Sequence, residues 1–566
     1  MRTVTIEIKN NHALVPYLRN NTSGSRAMRN TANFLIRNTM TGLKKSPEER
    51  TVNETETLHL VFTGIQKANR IKESREAAVI AGAAKKALKS GLTGLRAHAH
   101  VKTAMDKAQM RFPYPTAEKW FLGYEVLDAI LKYTNNETYV SCTSQVNQQA
   151  IRKTVESWKT YFKNAKGYKK NPAKYNRKPG IPGYIREKEV TAHFTNQVCK
   201  LSEVKGKLYL TFANHKESLC IGRNGLIPGK YVKTEVKPYY GGYLLCITYE
   251  DSFQIPAAPV SPKKILGLDP GLENFITGVS NTGAKPFIIR GGYIKSLNRW
   301  FNKRRAELLS SLTAGSDPKH SKKHSHALDA LSRDRDRKLR DFFYKAAHWI
   351  CRWCKDNGIE VVVIGHNEGW KQKVNLGKTT NQNFVSIPYT RFISILKTVC
   401  YKYGLPVVET EESYTSKASL LDGDDMPVHK GSKKPEAENA NCGNVNSNSN
   451  DNNNTQESAF SGKRISRGMY RASDGRLLNA DVNGAGNIIR KAYPDAFKGV
   501  DTAYLCGAVE PVTGEKILGI KHKDGPKPRF KRKRTGVSEI RRRYRRMQRR
   551  DIRMAFGTAA SGKKAA

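Results

Sequence analysis

Three acidic residues in the second half of the chain stand where a carboxylate could do chemistry. Asp269 ends the apolar run ILGLD. Glu412 follows a second apolar run, residues 406–408, in the stretch VVETEESYTSKAS, which also carries Glu409 and Glu411. Asp481 lies at the start of a helical segment, NADVNGAGNI. Strand-end carboxylates that converge can bind two Mg²⁺ ions about 4 Å apart, one activating a water and the other stabilising the leaving oxygen of a phosphodiester. Mg²⁺ takes hard oxygen donors and keeps several waters, so two or three carboxylates suffice. Each acid also has a plainer reading. DPG at Asp269 makes a turn, Asp481 can meet a helix dipole, and the glutamates can be a solvated strand end.

Positioning such a site requires strands and helices that alternate. KILGLDPG reads as a strand stopping at a turn, and residues 299–315 and 327–357 as two helices. The second helix has an apolar stripe with Leu331, Phe342, Ala346, Ile350 and Cys354. VVVIGHNEGW is a further buried-strand candidate, and a helix over 389–403 leads to the glutamates. This alternation predicts an α/β domain. A Pro-rich hinge, IPAAPVSP at 255–262, separates it from the first half. There TVTIEIK alternates like a half-buried strand, residues 24–167 are mostly helical in pattern, and 168–253 hold short β-like runs between Gly, Asn and Pro. The first half is therefore a separate, mixed architecture. Residues 432–458 are rich in Asn and Ser and are expected to be disordered.

The 566-residue chain carries 99 Lys and Arg against 50 Asp and Glu, a net charge of +49 with a pI near 9.9. A phosphate backbone is the usual partner of so much positive charge. A membrane surface is the rival polyanion, but there is no basic amphipathic helix beside an apolar face, and no apolar run nears the roughly 18 residues of a span. The start, MRTVTIEIKNN, lacks a secretory h-region, and the nine cysteines are scattered and odd in number. A cytoplasmic prokaryotic protein is expected, or a nuclear one if the source is eukaryotic. Residues 161–188 mix cations with aromatics: Tyr161, Lys163, Tyr168, Lys169, Lys170, Lys174, Tyr175, Arg177 and Lys178. Such a mixture suits single-stranded or folded RNA, with cations on phosphates and rings on bases; the plainer reading is a solvated basic loop. Cys351 and Cys354 form a CxxC inside an apolar helix with no second pair, as buried thiols would. His320, His324 and His326 sit among Lys and Ser, the pattern of a solvated loop.

Longer blocks around the three acids resemble a known family. LGLDPGLENFITGVSNTG with GGYIKSLNRWFNKRRAEL resembles the first RuvC segment of TnpB, the transposon-encoded RNA-guided nuclease. VVVIGHNEGWKQKVNLGKTTNQNFVSIPYTRFISILKTVCYKYGLPVVETEESYTSKAS resembles the second, and SGKRISRGMYRASDGRLLNADVNGAGNIIRKAY the third. Weaker similarity runs upstream through SQVNQQAIRKTVESWKTYFK, so the resemblance covers most of 140–495. Compact type V CRISPR effectors and Fanzor proteins are related families.

The resemblance implies a multidomain α+β protein. A wedge β-barrel would be formed by residues 1–23 and 168–255, with a helical recognition insertion at 24–167. A RuvC nuclease domain of RNase H-like fold would span 263–500, with a helical insertion at 299–357, followed by a largely disordered basic tail at 501–566. It implies cleavage of target DNA beside a short duplex motif, at a place chosen by a bound guide RNA, with two Mg²⁺ ions. Asp269 and Asp481 match the first and third catalytic aspartates. In the common pattern the second strand carries the glutamate, but that position is Gly365 here. Some members place it just before a Thr-Ser pair, and Glu412 matches that place, with Thr415 and Ser416 following. Glu411 is one step along and would face the other way; Glu368 is a rival in a loop. The family's four-cysteine zinc ribbon has no counterpart, since only Cys442 lies between the second and third blocks, so no zinc is expected. The other readings are a nuclease-inactive guided DNA-binding protein or repressor, and a transposase on the same kind of site. Oligomeric state is left open.

Overall fold

The computed structural model describes residues 1–271, 273–315, 317, 324–366, 387–427, 460–466 and 468–520. Glu368, His320, Cys442, the insert at 432–458 and the tail beyond 520 lie outside the described residues. The chain forms two compact units, Met1–Gly514 and Glu515–Ala566, and all that follows concerns the first. No helix among the described residues is long and apolar enough to cross a membrane.

The first half opens with β1 (Arg2–Ile8) and continues through α1 (Val15–Gly42), α2 (Val52–Lys89), α3 (Gly94–Gln109), α4 (Tyr124–Tyr133), α5 (Glu137–Val140) and α6 (Ser144–Lys170). The helices thus begin nine residues before the predicted 24 and run three past 167, because the polar run at the start of α1 still buries Val15 and Leu18. Thr51 and Glu54 form a reciprocal capping box at the start of α2. The helices close on a core that includes Met28, Ile36, Val61, Ile130, Ile151 and Trp158.

Six short strands follow: β2 (Ala192–Thr195), β3 (Cys199–Val204), β4 (Lys207–Phe212), β5 (Ser218–Arg223), β6 (Lys230–Tyr239) and β7 (Gly242–Glu250). They make two antiparallel sheets, ordered β1-β7-β6-β2 and β3-β4-β5. The expected closed barrel is not found among the described residues. The chain turns out of the first sheet between β2 and β3, and no strand among the described residues joins the outer edges of β1 and β5. The sheets instead share one apolar core, with Phe194, Val236 and Leu245 from one and Leu210, Phe212 and Ile221 from the other.

Beyond the hinge come β8 (Ile265–Asp269), β9 (Asn274–Ser280), β10 (Phe287–Arg290), α7 (Gly292–Thr313), α8 (His326–Asp356), β11 (Val361–Gly365), α9 (Tyr389–Lys402), β12 (Val407–Thr410), β13 (Lys463–Ser466), β14 (Met469–Arg471), β15 (Leu477–Asn479), α10 (Ala480–Ala492) and β16 (Glu510–Val512). One six-stranded sheet, β12-β11-β8-β9-β10-β16, carries Asp269 at the end of β8 and leads from β12 to Glu412. β8, β9 and β10 form an antiparallel meander; β11 runs parallel to β8, and β12 parallel to β11. Both faces of its centre are covered, which is why ILGL and VVVIG are uninterrupted apolar runs. α10 lies so close on one face that a side chain at Gly267 would strike the Ala485 carbonyl and Ile489. On the other, Phe275 packs against Phe343, Tyr389 and Phe392. α7 starts at Gly292 rather than 299, and past residue 501 the chain adds β16, which pairs with the edge of β10 and buries Val512.

Candidate active site

Each of the three acids is set by a different element. β8 delivers Asp269 at its last residue. The turn that follows is pinned twice: Gly271 N donates to Phe275 O at 3.3 Å, and the Tyr389 hydroxyl donates to the Gly271 carbonyl. Asp481 sits in the first turn of α10, whose N-cap Asn479 accepts from the backbone N–H of Asp481 (2.9 Å) and Val482 (3.3 Å). Asn274, the first residue of β9, donates from Nδ2 to Asp481 Oδ2 at 2.6 Å and fixes that carboxylate.

Glu412 lies two residues past β12, in a turn closed by Thr415, whose N–H and hydroxyl both donate to the Glu412 carbonyl (3.3 and 2.9 Å). The segment NGAGN fastens this turn to α10. Asn483 Oδ1 accepts from Leu420 N at 2.9 Å and its Nδ2 donates to Ala418 O at 2.7 Å. Asn487 Nδ2 donates to the carbonyls of Thr415 (3.0 Å) and Ala418 (2.7 Å). Four residues apart, the two amides share a helix face, and both are fully buried. The intervening glycine makes room for the acid: a Cβ at Gly484 would lie 2.7 Å from Asp269 Oδ2.

Gly365 has a similar relation to Glu412. A Cβ there would lie 2.6 Å from both Cγ and Oε1 of Glu412, and 2.7 Å from Ile488 Cδ1. Gly365 ends β11, paired with Thr410 of β12. The glutamate from the neighbouring strand therefore occupies the space that a side chain at 365 would enter.

The carboxylates feel one another. Burial, then the Glu412 and Asp481 charges, hold the Asp269 carboxyl well above the usual range, with Arg464 on β13 opposing. Burial, then Glu411, push Glu412 up to about 7, with Lys491 opposing. Both residues keep some accessible surface although protein atoms surround their carboxylates. The other two acids of the stretch are engaged elsewhere. Glu411 accepts from Lys491 Nζ at 2.6 Å and from Ser413 N at 2.9 Å; Glu409 pairs with Lys397 and with His366 Nδ1 at 3.2 Å. Beside Asp481 a cavity of about 510 Å³ opens, lined by Asn274, Arg290 and Asn479 among others.

No group of three His, Cys, Asp or Glu side chains among the described residues is drawn together tightly enough to hold an ion as it stands. In kind, the donors fit a hard divalent cation: oxygen only, with the charges of Glu412 and Asp481 bearing on Asp269. Asn274, Asn483, Asn487, Gly484 and Tyr389 were not singled out from sequence. The pair of Asn four apart around Gly in NGAGN was the available signal; the contacts themselves join residues more than 60 positions apart.

The Tyr161–Lys178 residues divide. Tyr161, Lys163, Tyr168, Lys169 and Lys170 lie on the last turns of α6, and Lys174, Tyr175, Arg177 and Lys178 on the loop after it. Tyr161, Tyr175 and Arg177 line a common cavity; the other six are not among its lining residues. Cys351 and Cys354 are buried in α8, with Cys351 Sγ 3.4 Å from Cys400 Sγ.

Residues 244–371 match the family model OrfB_IS605, described as a probable transposase. The protein is TnpB-like. The matched part carries Asp269 and Gly365 and stops before Glu412 and Asp481. No curated protein matches the chain. Among solved structures, the TnpB-like chain is similar to one from the cryo-EM structure of a Cas12f1–sgRNA–target DNA complex, at 12% identity and TM-score 0.27, covering 86% of this chain and 99% of that one. A CRISPR-Cas12f ternary complex gives 13% identity and TM-score 0.23 over 63% and 73%.

Proposed function

We propose that the TnpB-like chain is an RNA-guided DNA endonuclease with a single RuvC-type site made of Asp269, Glu412 and Asp481. The observation that carries this reading is that Glu412 lies against Gly365 while its charge and that of Asp481, in the first turn of α10, both act on Asp269. An antiparallel meander, β8-β9-β10, with the parallel strands β11 and β12 beside β8 and β16 added at the β10 edge, supports an RNase H-like domain. Its partners are a guide RNA and a target DNA bearing a short adjacent duplex motif. The helices of the first half and their two sheets serve as the recognition and wedge regions that hold them.

The three carboxylates would hold Mg²⁺; when bound, it supplies Lewis acidity that activates a water and stabilises the leaving oxygen of a phosphodiester. The chain's own residues do the rest. Asn274 orients the Asp481 carboxylate, Asn483 and Asn487 clamp the Glu412 turn on α10, and Gly484 admits Asp269 to the same helix. Glu412, with its pKa near 7, releases its proton close to neutrality. One site cuts the two strands in turn once guide pairing has opened the duplex.

A guided DNA-binding protein without cleavage is the second reading, and it draws on the lack of a ready three-ligand group among the described residues. Purification with co-bound RNA, then plasmid cleavage in Mg²⁺ by wild type, Asp269→Ala, Glu412→Ala and Glu368→Ala, decides between them. Cutting by wild type and Glu368→Ala but not by the other two supports the nuclease. Target binding without cutting by wild type supports the second reading, and absence of any specific RNA overturns both.

A further inference from the structure

The cavity beside α6 has features that the carboxylate site does not use. α1 and α6 pack side by side through Ala32, Ile151 and Trp158. A Pro- and Gly-rich segment, residues 175–183, lies over them and is tied to α1. Asn33 Nδ2 donates to the carbonyls of Pro182 and Gly183 (both 3.2 Å), and Asn30 exchanges two hydrogen bonds with the backbone of Ile185 (3.0 and 2.9 Å). The space left is about 760 Å³, within the usual range of small-molecule sites. Because its cover is hydrogen-bonded to α1, the space is built before anything enters.

Arg29 of α1 forms part of the wall. Its Nε is sealed from solvent and has no hydrogen-bond partner, and burial pulls the guanidinium below its ordinary pKa. The acid in the same wall, Glu156, is paired instead with Lys153 at 2.8 Å. A buried guanidinium N–H without a partner is costly and is relieved by an anion. Arg is suited to phosphate through its planar fork of donors. Tyr161 and Tyr175 line the cavity too, and the amides of Asn164 and Asn176 can meet base edges.

We propose that this cavity takes one nucleotide of a single-stranded nucleic acid, its phosphate on Arg29 and its base against Tyr161 or Tyr175. The inference rests on the reading of the chain as a nucleic-acid-binding protein and adds a defined subsite to it.

The test uses the full chain, stripped of nucleic acid by high salt, with EDTA to prevent cutting. Binding of a fluorescein-labelled single-stranded 20-mer, as RNA and as DNA of one sequence, is read by anisotropy across a salt series. Arg29→Gln should weaken binding about 10- to 100-fold and lower the slope of log affinity against log salt by about 1. Tyr175→Leu, a half-buried rim position, should weaken it about 5- to 100-fold with the slope unchanged. Photocrosslinking of an oligonucleotide carrying 4-thiouridine should label Tyr161 or Tyr175. A larger loss for RNA assigns the occupant to RNA, a larger loss for DNA to DNA, and equal losses to either strand; all three support the subsite. Wild-type affinity in both variants, with crosslinks elsewhere, overturns the subsite alone. If Arg29→Gln does not fold, Tyr175→Leu and the crosslink map decide. No binding by wild type overturns the subsite and the nucleic-acid reading together.

Discussion

Adding one methyl group at Gly365 separates the role of Glu412 from the stability of the fold. In Gly365→Ala the new Cβ would stand 2.6 Å from Cγ and Oε1 of Glu412 and 2.7 Å from Ile488 Cδ1, well inside van der Waals contact. The Glu412 carboxylate and the Ile488 methyl are ends of flexible side chains, so both can swing away. The stability cost should therefore fall at the low end for an overpacked site, about 1 kcal/mol. The catalytic cost should be larger, because moving a reacting group by about 1 Å can cost roughly 100-fold in rate. The assay is single-turnover cleavage of a matched plasmid by the RNA complex, with thermal unfolding and DNA binding measured on the same sample. Gly123→Ala is the control, since a Cβ there meets nothing within 4 Å. The expected result is a small fall in melting temperature, unchanged DNA binding and about 100-fold slower cutting for Gly365→Ala, with Gly123→Ala like wild type. Cutting by Gly365→Ala at the wild-type rate would refute the reasoning.

Three further outcomes follow from particular contacts. Asn274→Ala removes the donor that orients Asp481; the Mg²⁺ concentration for half-maximal cutting should rise about 10- to 100-fold, and an unchanged Mg²⁺ titration would count against a positioning role. In metal-free protein, Glu412 is raised from 4.5 to about 7, so its protonated form favours folding at low pH and that contribution is lost as pH rises through about 7. With EDTA present, the melting temperature of Glu412→Gln relative to wild type should climb between pH 5 and 8, and a flat difference would be contrary. Asp336 of α8 accepts from Arg391 of α9 and from the Tyr239 hydroxyl at the end of β6. Burial works to raise its pKa, but these hydrogen bonds outweigh it and hold the carboxyl below 3.8. Its stabilisation is present above about 3.8 and lost as pH falls through the lower folded value. Asp336→Asn should cost about 1–3 kcal/mol at pH 7, and the gap to wild type should close below pH 3.8 in acid unfolding; a constant gap would exclude the ion pair as its source.

Much of the scaffold was legible because burial writes itself into runs of residues. TVTIEIK alternates and pairs with β7 from Thr3 to Ile8, and the stripe from Leu331 to Cys354 is buried in α8. Boundaries were less legible where packing overrides local pattern. α7 begins at a Gly-Gly step that looks like a loop, and the three-residue strands β14, β15 and β16 are too short for a periodic signal. The barrel was an inference from resemblance, and whether sheets close depends on pairing between distant edges. At the site, the acids could be named because strand ends and helix starts are local. What surrounds them was not, since the relation of Gly365 to Glu412, of Gly484 to Asp269 and of Asn487 to Thr415 exists only after the chain has folded.

The central claim is that Glu412, and not its neighbours, completes the carboxylate set. It is tested most directly by cutting of a matched plasmid in Mg²⁺ by RNA-loaded wild type, Glu412→Ala, Glu411→Ala and Glu409→Ala. Glu412→Ala should lose at least about 1,000-fold in rate while still binding target DNA, and the other two variants should keep cutting. Cutting by Glu412→Ala at the wild-type rate would contradict it.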